Sequence, residues 1–415
     1  MRISTDAPAV RAERLIAPVD LLDAYAPGEG FFFERRGTGV AAAGVARTIV
    51  IPAGPGQVER AAASARRALE PFVVGDPSTP GPVVVGALPF DGMSPATLAI
   101  PRVTMLRRAD GNAWRVTVGP GAGPGGDGIA PPGPTAPDGT RAPAGLEASA
   151  VPDRSDYVAA VAEARRTILA GHLQKVVLAR MLVVRADHDF DRRALLRRLR
   201  LAEPDAFVFA VHGFIGASPE LLVARHGRSV AANPLAGTAA RAEDPAEDAR
   251  VAGRLLRSAK DLREHAPVVE AVRDGLAPVC ERLEVDPSPS AIRTGKVWHL
   301  STQVRGTLRT PAPDVLDLAA RLHPTPAVCG TPRDAALAAI ARLERIDRTL
   351  YAGAVGWIDG NGDGEWAVGL RCAEVQGRMA LLFAGAGIVA DSEPDQELAE
   401  TDAKFRSMLD ALGYA

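Results

Sequence analysis

The stretch richest in chemistry lies near the C-terminal end of the sequence, between Arg371 and Met408. Arg371 opens a strand-like run, Ala384-Gly385-Ala386-Gly387 reads as a small-residue turn, and a helix with an acidic start follows. On that helix Glu397, Glu400 and Lys404 stand at i, i+3 and i+7, so they share a face. Leu398, Phe405, Leu409 and Leu412 fall on another face and pack inward. Two carboxylates and an ammonium on one stripe, with an arginine upstream, suit a divalent cation and a small anion. Acidic residues in a first turn with a lysine further on are also ordinary macrodipole matching, so the stripe alone does not decide.

Three further places could do chemistry, and each has a plain alternative. Lys175, in QKVVLAR, is either a solvated strand charge or, beside other cations in a closed cavity, a lysine whose pKa falls enough to act as a base. Glu220, in GASPELL, is either an exposed strand start or a buried carboxyl that keeps its proton and acts as an acid. Lys260 and Glu264, in SAKDLREH, make a surface i, i+4 pair, or Glu264 offers an oxygen to a hard ion such as Mg2+. His265 has no second His or Cys at i+4, which disfavours a transition-metal site. Asp359-Gly-Asn-Gly-Asp-Gly opens like a calcium loop, but Leu370 stands at its twelfth position, so a hairpin turn is expected.

Those residues need elements to hold them. Up to residue 118 the pattern is a mixed lobe, read as scaffold: strands at Phe31–Phe33, Thr48–Ile51, Val83–Leu88, Ala99–Met105 and Trp114–Val118, with a helix over Gln57–Leu69. Residues 119–150 are rich in Gly, Pro and Ala and read as a flexible insertion. From 151 to 415 lies the region that carries the chemistry. Gln174–Val184 is a strand, Asp191–Leu201 a basic helix, and Ala206–His212, Phe214–Ala217 and Leu221–Arg225 suggest an antiparallel meander. Asp244–Gly275 is helical with a break expected at Pro267, and Pro332–Ile346 is helical. Ala352–Ile358, Glu365–Val375 and Arg378–Phe383 are strands. Such runs predict an α+β fold with large antiparallel sheets packed as a sandwich core and helices around it.

Composition narrows the class. Across 415 residues the formal net charge is -2, so no global basic field points to nucleic acid or an anionic membrane. Cys280, Cys329 and Cys372 are far apart, which fits a reducing, cytoplasmic setting rather than a disulfide framework. The start MRISTDAPAV has no apolar core of a signal peptide, and the longest apolar run, Met379 to Ala390, is too short to span a bilayer.

In order, QKVVLAR, GASPELL, NPLAGT, SAKDLREH, VWHLSTQVRG, LHPTPAVCGTP, YAGAVGWIDGNGDGEWAVGLRCA and FAGAGIVADSEPDQELAETDAKF resemble the chorismate-binding enzymes, from about Tyr157 to Leu412. That family includes isochorismate, salicylate, anthranilate and aminodeoxychorismate synthases. Lys175 stands where water-using members keep a lysine, Ala236 where aminodeoxychorismate synthases carry a nucleophilic lysine, and His323–Gly330 resembles the isochorismate-forming members. The resemblance therefore implies conversion of chorismate to isochorismate, with salicylate formation or an ammonia-using reaction as alternatives. It implies Lys175 as general base, Glu220 as general acid, and Mg2+ held by Glu264 and Glu400 with Glu397 close by. Arg371, Lys404 and the Gly385-Ala386-Gly387 segment would hold the enolpyruvyl carboxylate, and Gly237, Thr238, His299 and Ala327 would line the ring pocket. It further implies a monomer without an obligate amidotransferase subunit, serving catecholate siderophore synthesis before menaquinone or salicylate.

Overall fold

The computed structural model describes residues 9–17, 19–72, 79–119 and 145–414. Most of the insertion expected at 119–150 lies outside them, but Glu147–Val151 is a strand paired with Met181–Arg185, so the expected flexible segment ends earlier. The ladders of the described residues are antiparallel. They build one 19-stranded sheet and a three-stranded one formed by Leu235–Ala240, Val297–Ser301 and Ser290–Arg293.

Side-chain alternation buries the large sheet on both faces. Phe31 and Phe33 enter the larger apolar core and Phe32 enters a second one. Helix Gln57–Leu69 covers the first with Ala61, Ala62, Ala65, Ala68 and Leu69, a spacing that puts them on one stripe. Helices Arg192–Ala202 and Pro394–Leu412 cover the second with Leu195, Leu196, Leu199, Phe405, Met408, Leu409 and Leu412. The N-terminal strands belong to the same sheet: Phe31–Arg35 pairs with Phe207–Val211, and Val83–Leu88 with Ala354–Asp359.

Four local expectations are corrected. Ala384–Gly387 is not a turn, because strand Met379–Ile388 runs straight through it in register with Lys175–Arg185. Glu365–Val375 is two strands, Gly364–Val368 and Cys372–Gln376. The chain changes neighbours between them, and Arg371 takes up a left-handed φ of 48° at the break. The meander stops after two strands: Phe214–Ser218 pairs with Phe207–Val211 and Cys372–Gln376, while Leu221–His226 pairs elsewhere. The helical stretch breaks at Leu256–Ser258, where the Ser258 hydroxyl accepts from the Asp261 amide and starts helix Ala259–Leu276, with Pro267 inside it.

Candidate active site

The site is built on the ladder between Lys175–Arg185 and Met379–Ile388. Gly385 stands opposite Ala179 and Gly387 opposite Val177. The Ala179 amide donates to Glu344 Oε1 at 2.7 Å and the Val177 amide to the Cys329 carbonyl at 2.8 Å. Both glycines therefore sit at non-hydrogen-bonded positions and turn their own N–H and C=O groups away from the Lys175 strand. On that side the Gly385 carbonyl accepts from Lys404 Nζ at 2.8 Å. The next strand pairs only as far as Ala373–Leu382, so it does not reach them.

Glycine is needed here for close approach. A Cβ on Gly387 would lie 2.1 Å from Glu264 Oε1 and 3.1 Å from Lys175 Cε, and one on Gly385 would lie 2.9 Å from the Tyr351 hydroxyl. Gly385 and Gly387 line a cavity together with Glu220, Glu264, His299, Arg371 and Lys404. Gly237, Thr238 and Ala327 line it as well. Ala386 does not. Period-two alternation sends its methyl into the apolar core, which removes it from the expected substrate contacts.

Glu220 sits where the strands Phe214–Ser218 and Leu221–His226 meet. Its amide donates to Ser218 Oγ at 3.2 Å and its carbonyl accepts from the Val368 amide at 3.1 Å. Burial pushes its carboxyl up to about 8, outweighing a hydrogen bond from the Leu235 amide and the charges of Lys175 and Lys404. It is a protonated acid at neutral pH. Lys175 is also buried, on the same strand face as the cavity-lining Val177. Its Nζ lies 3.2 Å from Glu264 Oε1 and 3.4 Å from the Glu264 carbonyl. The cationic surroundings anticipated for this lysine are replaced at contact distance by a carboxylate.

Each of the three glutamates expected at a metal faces a lysine. Glu264 faces Lys175 at 3.2 Å, Glu397 faces Lys260 at 2.7 Å, and Glu400 faces Lys404 at 2.6 Å. The i, i+4 pair expected between Lys260 and Glu264 is therefore not formed. Glu264 and Lys404 line the cavity, while Glu397 and Glu400 do not. Among the described residues no three His, Cys, Asp or Glu side chains form a metal cage. The donors still fit a hard cation, because Mg2+ takes one or two carboxylates and completes its shell with water and substrate oxygens. Burial, then the charge of Glu400, raises the Glu397 carboxyl, so added positive charge is favourable there.

Arg371 and His299 also line the cavity and are hydrogen-bonded to each other. Arg371 Nη2 lies 2.9 Å from His299 Nε2, and His299 Nδ1 lies 3.2 Å from both the Gly237 carbonyl and Thr238 Oγ1. A carbonyl only accepts, so Nδ1 carries the proton and Nε2 accepts from the guanidinium. Burial, then the charge of Arg371, holds the imidazole well below its ordinary value, so it is neutral. Gly237 has φ 76° at the register shift of its ladder.

Sequence reasoning missed Tyr351, Phe383, Leu370 and Val177 in the cavity lining. Tyr351 and Phe383 stack with centroids 5.4 Å apart. Val177 was within reach, since it follows Lys175 by one strand period. His265 bonds Thr302 Oγ1 at 2.7 Å and does not line the cavity. Asp359 Oδ1 accepts from the Asn361 and Asp363 amides at 2.8 and 3.0 Å, closing a hairpin between Ala354–Asp359 and Gly364–Val368 as expected. Among the described residues no helix is long and apolar enough to cross a membrane.

The pattern of the chorismate binding enzymes matches residues 135–413. The isochorismate synthase DhbC of Bacillus subtilis is 40% identical over 408 residues, 95% of this chain and 96% of its own. The isochorismate synthase EntC of Escherichia coli is 36% identical over 340 residues, 80% of this chain and 81% of its own. The crystal structure of a putative 2,3-dihydroxybenzoate-specific isochorismate synthase, DhbC from Bacillus anthracis, superposes with a TM-score of 0.80 at 41% identity, covering 95% of this chain and 99% of that one. The menaquinone-specific isochorismate synthase MenF of Escherichia coli gives 0.81 at 26% identity, covering 99% and 96%. On matches of this length and identity, the chain belongs to the chorismate-binding enzyme family.

Proposed function

We propose that the protein is an isochorismate synthase, adding water to C2 of chorismate while the C4 hydroxyl leaves. The observation that carries the reading is a protonated carboxyl, Glu220, facing the same cavity as the face of the Lys175 strand. Water attacks C2 and gives a proton to Lys175, the base in this reading. Both ring double bonds shift, C1=C2 to C1=C6 and C5=C6 to C4=C5, the C4–O bond breaks, and Glu220 donates its proton to the departing hydroxide. Atoms and charge balance, and the product is an isomer of the substrate. Arg371, Lys404 and the N–H groups of Gly385 and Gly387 suit the enolpyruvyl carboxylate. Gly237, Thr238, His299 and Ala327 bound the ring. Glu264 and Glu400, with Glu397 behind them, are the residues to hold Mg2+, whose charge would neutralise the ring carboxylate.

We place the product in 2,3-dihydroxybenzoate siderophore synthesis, a reading supported by the likeness to the putative 2,3-dihydroxybenzoate-specific synthase of Bacillus anthracis. The buried free thiols Cys280, Cys329 and Cys372 suit a cytoplasmic enzyme. In this reading it works as a monomer without an amidotransferase subunit. The test is product analysis by liquid chromatography after incubation with chorismate and Mg2+, with and without ammonium. Isochorismate alone, lost on adding EDTA, is the expected result. Enzyme-dependent salicylate with equimolar pyruvate, or an aminated product, would overturn it.

A further inference from the structure

The strand that carries Lys175 has a gap along one edge. Gly330–Thr331 pairs with it only at Lys175 and Val176, and Glu147–Val151 pairs only from Met181 onward. Two side chains fill the interval. Arg348 Nη2 donates to the Val177 carbonyl at 2.8 Å, and Glu344 Oε1 accepts from the Ala179 amide at 2.7 Å. The two are themselves a fork pair, with Arg348 Nε 2.9 Å from Glu344 Oε2 and Nη2 2.5 Å from Oε1. Arg348 Nη1 reaches across to the Val328 carbonyl at 2.8 Å. Its guanidinium lies over the Phe90 ring, 4.2 Å from the centroid, and 5.9 Å from that of Tyr351. Neither Arg348 nor Glu344 lines the cavity, yet Val177, Val328 and Tyr351, which Arg348 touches, all do.

We infer that Arg348 and Glu344 are positioning residues for Lys175, acting as a side-chain substitute for the missing piece of strand. A buried ion pair is a poor source of net stability, because desolvation offsets most of its Coulombic gain. What this pair supplies is geometry: a planar fork with fixed donor directions sets the Lys175 strand against the Val328 wall. Lysine at 348 offers one ammonium and cannot satisfy Glu344, Val177 and Val328 in the same plane. The inference rests on Lys175 being the base.

The test is steady-state kinetics of isochorismate formation by Arg348→Lys and Glu344→Gln, each first checked for native circular dichroism. The expected result is kcat lower by about 10- to 100-fold, the size of effect a small misplacement of a catalytic group produces. KM for chorismate should stay within about twofold, since Arg371 and Lys404 are untouched. Guanidinium ion at millimolar concentration should restore part of kcat to Arg348→Ala, and sodium chloride at equal ionic strength should not. A folded Arg348→Lys with parental kcat would overturn the inference, as would kcat and KM worsening in proportion. Should the arginine variants not fold, the same split in Glu344→Gln decides. A parent enzyme that forms no isochorismate would instead sink the proposed function, and active Lys175→Ala would sink the base assignment.

Discussion

Arg348 stands behind the cavity wall and Arg371 stands in it, both buried, and the two are used in opposite ways. Arg348 spends its guanidinium on a carboxylate and two backbone carbonyls, with an aromatic ring beneath. Arg371 lines the cavity and, among the described residues, its side chain donates one hydrogen bond, to a neutral imidazole, and contacts no carboxylate. A buried charge with every direction answered fixes the geometry of the groups around it. A buried charge left with one neutral partner is costly unless a ligand completes it. In the proposed reading, the difference marks the side of the wall that would receive an anion.

Substitutions in and next to the cavity should cost activity more than stability. Lys175→Ala should lower kcat by about 10²- to 10⁴-fold, the range for losing a general base, while the fold survives. Parental turnover in that variant would show that the base lies elsewhere. Glu220→Gln should lower kcat by a similar or smaller factor and remove the alkaline limb of the pH–rate profile. That limb should fall near pH 8 in the parent, where the acid loses its proton. The same group predicts a stability trend. Between its ordinary 4.5 and about 8 the folded chain holds a proton that the unfolded chain has lost. The Glu220 contribution to stability is therefore full below that window and falls as pH rises through it. Denaturation across pH 5 to 8 should show a shallower slope in Glu220→Gln, and identical slopes would contradict the buried acid.

Arg371→Gln should raise KM by about 10- to 100-fold, as expected for a lost charge-assisted contact, with little change in melting temperature. A lower kcat with unchanged KM would place Arg371 in the same class as Arg348. The smallest contrast lies among the glutamates. Glu400→Gln should shift the Mg2+ titration to higher concentration by about tenfold. Glu397→Gln should shift it less, because its partner Lys260 does not line the cavity, whereas Lys404, the partner of Glu400, does. Equal shifts would make the two glutamates equivalent ligands.

The sequence made the long elements legible and the breaks much less so. Helix Gln57–Leu69 and strand Val83–Leu88 are found where apolar periodicity put them. In the sequence Ala384–Gly387 reads as a turn because small residues carry no strand signal of their own. It is a strand because the ladder continues, and small because Glu264, Lys175 and Tyr351 crowd it. Arg371 sits at a break that no local residue announces, since the cause is a change of neighbouring strands far away in sequence. The start of helix Ala259–Leu276 was readable, as Ser258 with Asp261 three residues on is an N-cap pattern, but Pro267 drew the break instead. Lys175, Glu220 and Glu264 became candidates through the order of motifs. Their single residues were each compatible with solvent. The roles of Arg348 and Glu344 had no local signal, because they depend on a gap between two other strands.

The ladders that join the N-terminal strands to the rest have a consequence for biosynthesis. Val83–Leu88 gains its Ala354–Asp359 neighbour only when most of the chain has been made. Until then the nascent polypeptide displays open strand edges, the surfaces on which chains mispair and aggregate. Contacts so distant in sequence make for slow folding. Yield of the intact protein should therefore respond to translation speed, temperature and chaperone supply more strongly than to small changes at the catalytic cavity.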